Sequence, residues 1–143
     1  MNTTTSTQDE TPRIEASVTA LRAKCALIPR VAIVLGSGLS GLADDIDAEA
    51  RLAYAEVPGL TAPTVPGHDG ALTLGHLRGV PVVAFRGRAH LYEGHDANAV
   101  VRSVRIARAL GADTLVLTNA AGGIRADLGP GALMVLTDHL NLT

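Results

Sequence analysis

The sequence predicts an α/β protein built on a mixed, largely parallel central sheet flanked by helices. Three observations carry that prediction. Residues 31–35 (VAIVL) and 113–118 (DTLVLT) are nearly continuous apolar runs, the pattern of strands covered on both faces. Helical spacing of apolar residues marks two other segments, near 14–28 and 96–110. Strands mixed with helices in this way pack as a sheet with helices laid on it.

The elements follow in chain order. Residues 1–12 (MNTTTSTQDETP) form a polar leader, and 13–143 read as the N-terminal part of one domain. Ile14, Val18, Leu21, Cys25 and Ile28 line one face of a helix that Pro29 is expected to stop. The 31–35 strand comes next. Residues 44–70 contain Pro58, Pro63, Pro66 and several glycines, and read as irregular. Strands near 71–77 and 80–86 are separated by Arg78-Gly79, as in a short hairpin. Asp96 is a candidate cap for the next helix, with Val100, Val101, Val104, Ala107 and Leu110 as its stripe and Gly111 as its stop. The 113–118 strand runs into Asn119-Ala120-Ala121-Gly122-Gly123. A last strand is expected from about 132 (ALMVLTDHL), and the sequence then stops at Thr143 without a closing helix, as though cut short.

Composition narrows the class of function. The 143 residues suit a single domain, and 47% apolar with 18% charged residues argues for a globular chain. A net charge of −2 exerts no general pull toward nucleic acid or anionic membrane. Phe85, Tyr54 and Tyr92 are the only aromatics, too few for a base-stacking platform. Cys25 is the single cysteine, which excludes an intrachain disulfide and a multi-cysteine metal cluster and suits a buried, inert thiol. The leader lacks the apolar core of a signal peptide, and no apolar run approaches the length of a membrane span, so a cytoplasmic protein is expected.

Gly36, Gly38 and Gly41 satisfy G-x-G-x-x-G directly after a strand. A dinucleotide site also needs a long helix and then a strand ending in an acidic residue. Here the polar ADDIDAEA follows, Pro58 breaks the next segment, and Glu56 is the only candidate ribose ligand. A smaller anion needs only backbone N–H groups and a hydroxyl, which the loop around Ser37 offers; a tight turn with a solvated serine is the plain alternative. GRAHLYEGH, residues 87–95, puts Arg88 and His90 on one side of the exit from the 80–86 strand. Arginine offers a planar fork for phosphate oxygens and histidine one or two N–H donors. Arg86 shares their parity and reads either as extra charge or as a surface residue. His68, in VPGHDG, sits in a loop that could close over a ligand or merely be exposed. TNAAGG puts small residues at a strand end, where sheets of this class bind ligands.

Taken together, LGSGL, VPGH, GRAHLYEGH, TNAAGG and DHLNL, in this order and spacing, resemble the trimeric class of purine nucleoside phosphorylases. The resemblance runs from about residue 30 to the end. The related methylthioadenosine phosphorylases share the fold but lack the YEG and NAAGG wording. The resemblance implies phosphate-dependent cleavage of purine (deoxy)ribonucleosides to a free base and (deoxy)ribose 1-phosphate, by a homotrimer with no cofactor and with inorganic phosphate as co-substrate. It implies that Ser37, His68, Arg88, His90 and the Ala120 N–H hold phosphate, with Ala89 contributing through its main chain. It places Tyr92 against the ribose and Asn119 at the sugar and base end, with His90 and Asn119 as the catalytic pair. Two features depart from the family: Ala89 stands where a bulky residue is frequent, and the purine-recognising Glu and Asn belong to a segment beyond residue 143. The 143 residues alone are therefore expected not to turn over substrate usefully. The rival readings are a phosphate- or nucleotide-binding module without catalysis, a structural subunit or inert fragment, and a methylthioadenosine phosphorylase.

Overall fold

One strand, apolar on both sides, organises the protein. The computed structural model describes residues 9–36, 38–61 and 70–141. Its elements are α1 (Thr11–Lys24), β1 (Val31–Leu35), β2 (Asp47–Ala53), β3 (Ala71–Leu77), β4 (Val80–Arg86), α2 (Ala97–Leu110) and β5 (Thr114–Leu117), with short 3-10 helices at Ser40–Asp45, Tyr54–Glu56 and Leu91–Glu93. On one face of β1, Ala32 and Val34 join a core with Leu21 of α1, Leu72 and Leu74, Val83 and Phe85, and Ile106 and Leu110 of α2. On the other face, Ile33 and Leu35 pack with Val82, Ala84, Ala43 and Ile46. Burial on both sides is why the VAIVL run does not alternate.

The sheet order is β2-β3-β4-β1-β5. β1 pairs in parallel with β4 and β5, while β2–β3 and β3–β4 are antiparallel. The sheet is thus mixed, with the α/β architecture that the sequence predicts. The β3–β4 hairpin turns on Arg78 (φ 50°) and Gly79 (φ 80°), the left-handed pair that matches strand twist.

Several local expectations need correcting. α1 ends at Lys24, because the backbone is already extended at Cys25 and Arg22 binds the departing carbonyls of Ala26 (3.3 Å) and Leu27 (2.8 Å). Ile28 is therefore outside the helix and exposed. Cys25 is buried as expected, and its thiol donates to Glu49 Oε2 (3.6 Å). Residues 47–53, read as irregular, form β2. Their DAEARLA sequence is poor in strand-favouring residues, yet its even positions turn inward and its charges turn outward. A bulge interrupts β2 between Ala48 and Ala50, opposite Gly75, where a Cβ would collide with the Asp47 carbonyl.

The buried stripe of α2 is also rotated from the predicted one. Arg102, Ser103, Ile106, Ala107 and Leu110 are buried, and Val101 is exposed. Arg102 can lie inside because Glu10 pairs with it twice, at 2.6 and 3.0 Å. The caps are as predicted: the Asp96 carboxylate accepts from the Ala99 N–H (2.7 Å), and Gly111 ends the helix at φ 117°. β5 is an exposed edge strand among the described residues, not a buried one, since only β1 pairs with it. The strand expected from 132 is not formed among the described residues. That run has no ladder partner there, and Leu133, Val135 and Leu140 are exposed.

Candidate active site

Because β4, β1 and β5 run parallel, their C-terminal ends reach one edge of the sheet together, the usual ligand edge of such sheets. β1 leads into Gly36, β4 into Gly87-Arg88, and β5 into Thr118-Asn119. Gly36 has to be glycine: a Cβ there would stand 2.6 Å from the Thr118 carbonyl oxygen and 3.0 Å from Asn119 Cα. Thr118 locks the approach. Its backbone N–H donates to the Val34 carbonyl (3.1 Å), and its hydroxyl accepts from the Gly36 N–H (2.8 Å) and donates to the Val34 carbonyl (3.1 Å).

Arg88 completes the cluster. Its Nη1 donates to the Thr118 carbonyl (2.9 Å), which ties the exit of β4 to the exit of β5. The half-buried Arg88 guanidinium and Gly36 therefore meet at Thr118. Ala89 is buried. Beyond it, the His90 and Tyr92 rings stack at 4.7 Å and 14°. The 3-10 turn under them is closed by the His90 N–H, which donates to the Glu93 carboxylate (2.8 Å), and it ends at left-handed Gly94. Tyr92 is 76% exposed, so its outer face is open to a ligand. Asn119 and Ala120 are exposed, with the Asn119 amide donating to the Ala120 carbonyl (3.2 Å).

Arg86 does not join Arg88. Its Nη2 donates to the Ser40 carbonyl (3.0 Å) and to Asp44 Oδ2 (3.1 Å), so it straps the turn that follows the glycine loop to β4. Ser37 and His68 lie outside the described residues. Thr118 was not singled out in the sequence. The signal was a hydroxyl residue between an apolar strand and the NAAGG run.

Guanidinium, imidazole and backbone N–H groups are the donor types that oxyanions accept from. Residues 30–143 match the sequence model of the family described as the Phosphorylase superfamily. The chain belongs to the Phosphorylase superfamily. It is 43% identical over 129 residues to purine nucleoside phosphorylase 1 of Bacillus subtilis, covering 90% of this chain and 48% of the relative. The purine nucleoside phosphorylase of Mycobacterium tuberculosis is 50% identical over 114 residues, covering 79% of this chain and 42% of the relative. A crystal structure of the Schistosoma mansoni purine nucleoside phosphorylase, in complex with acetate, superposes with a TM-score of 0.73 at 33% identity, covering 82% of this chain and 43% of that one. The chain thus spans about half or less of the length of these relatives. Its mixed α/β sheet superposes on part of that structure, with Arg88 and Asn119 just past the ends of β4 and β5.

Among the described residues, no group of three or more His, Cys, Asp or Glu is placed to hold a metal ion. No helix among them is long and apolar enough to cross a membrane.

Proposed function

We propose that the protein acts as a purine nucleoside phosphorylase, cleaving purine (deoxy)ribonucleosides with inorganic phosphate. The observation that carries this reading is the Arg88 guanidinium held at the junction of the β1, β4 and β5 exits by the Thr118 carbonyl. The names of the relatives support the substrate class. In this reading Arg88, His90, Ser37, His68 and the Ala120 N–H bind phosphate, with Ala89 adding main-chain contact. Tyr92 lies on the ribose, and Asn119 positions the sugar and base end. The working form is a cytoplasmic homotrimer without a cofactor.

The chemistry suits such groups. As the N-glycosidic bond breaks, its electron pair leaves with the purine, which takes up a proton, and positive charge develops on the ribose. A phosphate oxygen held beside C1′ stabilises that charge and then bonds to the carbon, giving (deoxy)ribose 1-phosphate. Positioning and electrostatics carry the rate, and an Arg, His and backbone cradle supplies both. The test uses protein expressed from its complete reading frame, assayed with inosine and guanosine at varied phosphate. Ribose 1-phosphate should form only when phosphate is present. Arg88→Ala should remove roughly 1.5–3 kcal/mol of charge-assisted binding, or about one to two decades in phosphate kcat/KM. Unchanged phosphate dependence in that variant would remove Arg88 from the site.

A further inference from the structure

The proposed phosphate residues lie on separate segments, and one buried side chain reaches the peptide that carries Arg88. Tyr54, in the 3-10 turn that follows β2, is 2% exposed. Its hydroxyl donates to the Gly87 carbonyl (2.7 Å) in a buried hydrogen bond. Its backbone N–H donates to the Gly70 carbonyl (2.6 Å). Gly87 immediately precedes Arg88, and Gly70 stands two residues after His68. The Tyr54 side chain therefore anchors the start of the Arg88–His90 segment, while its main chain bonds to Gly70.

The Gly87 anchor lies at a pivot. Gly87 has φ 89°, a left-handed conformation that turns the chain out of β4. Its N–H donates to the Leu35 carbonyl (3.3 Å), so Tyr54 fixes the one polar backbone group of Gly87 that β1 leaves over. The Tyr54 ring is itself held against Phe85 of β4, with centroids 6.5 Å apart. Burial pushes the phenol well above its ordinary pKa, so it remains a neutral donor across the working pH range.

We infer that Tyr54 is a positioning residue for phosphate: through its hydroxyl on the Gly87 carbonyl it orients the peptide from which Arg88 projects. The inference rests on the phosphate role proposed for Arg88. A tyrosine that merely filled the core would affect stability and both substrates alike. One that orients Arg88 acts on phosphate selectively.

The test compares Tyr54→Phe, Arg88→Ala and the double variant in protein expressed from its complete reading frame. Tyr54→Phe should raise the phosphate KM about five- to tenfold and leave the nucleoside KM within about twofold. In the Arg88→Ala background the same change should add less than about twofold, because Tyr54 acts through Arg88. Equal changes in both KM values, or a lowered Tm with unchanged KM values, overturn the inference. If Arg88→Ala raises the phosphate KM and Tyr54→Phe does not, the positioning role alone falls. If Arg88→Ala has no effect, both the role and the proposed site fall. Should Tyr54→Phe fail to fold, 3-fluorotyrosine is introduced at position 54 alone by site-specific incorporation. Added phosphate must then shift its fluorine resonance, and saturation without a shift overturns the inference.

Discussion

Replacing Arg102 by Met should lower folding stability by about 3 kcal/mol at neutral pH, near the lower end for breaking a buried ion pair from one side. The side chain makes three contacts at once. Nε and Nη2 reach the two Glu10 oxygens at 2.6 and 3.0 Å, and Nη1 donates to the Gly59 carbonyl at 2.7 Å. Both charged partners are only 7% exposed. Met fills the space of the stem but leaves the carboxylate and the carbonyl unanswered. The lower end applies because Arg13 Nη1, 3.4 Å from Glu10 Oε1, remains as a second partner. Urea unfolding followed by far-UV circular dichroism measures the change, as a shifted midpoint with an unchanged slope.

The pH dependence of that difference has a defined sign. Hydrogen bonding from Arg102 holds the Glu10 carboxyl below its ordinary value of 4.5, against the opposing effect of burial. A depressed folded-state pKa contributes stability that is complete above the unfolded value and is lost as pH falls toward the folded one. The gap between parent and Arg102→Met should therefore persist at neutral pH and narrow as the pH falls through and below 4.5. A midpoint at neutral pH within about 0.5 kcal/mol of the parent, or a gap that stays constant on acidification, would refute the reasoning.

Other substitutions probe the site and its supports. Gly36→Ala places a Cβ 2.6 Å from the Thr118 carbonyl oxygen. It should cost about 1–3 kcal/mol and raise the phosphate KM, and a variant normal in both would show that the β1 and β5 exits do not need this contact. Asp96→Ala removes the acceptor for the Ala99 N–H (2.7 Å). A loss of about 1 kcal/mol is expected in urea unfolding, and an unchanged midpoint would mean that the cap is not stabilising. Tyr92→Ala should raise the nucleoside KM more than the phosphate KM, since the exposed ring is free on one face. Equal effects would limit Tyr92 to supporting His90.

What could be read without coordinates was whatever local chemistry dictates. VAIVL spans β1 residue for residue, and the Arg78-Gly79 hairpin, the Asp96 cap and the Gly111 stop all rely on short-range rules. Gly36, Arg88 and Asn119 were legible too, as glycine, charge and amide placed where strands end. The sequence did not reveal β2, because alternating Ala with Asp, Glu and Arg becomes a strand only when β3 supplies its ladder. Nor did it reveal that 113–118 lies at an edge or that the run from 132 is unpaired, since apolar character alone does not supply a hydrogen-bonding neighbour. Nor did it show that Arg102 is buried, since its partner Glu10 stands 92 residues away. The parallel register of β1 and β5 brought Thr118 against Gly36, and the packing of Tyr54 beneath β4 joined it to Gly87. The sequence alone determined which residue types stood ready to bind an oxyanion. Only the tertiary structure decided which carbonyls orient them, because those bonds join residues that are distant along the chain.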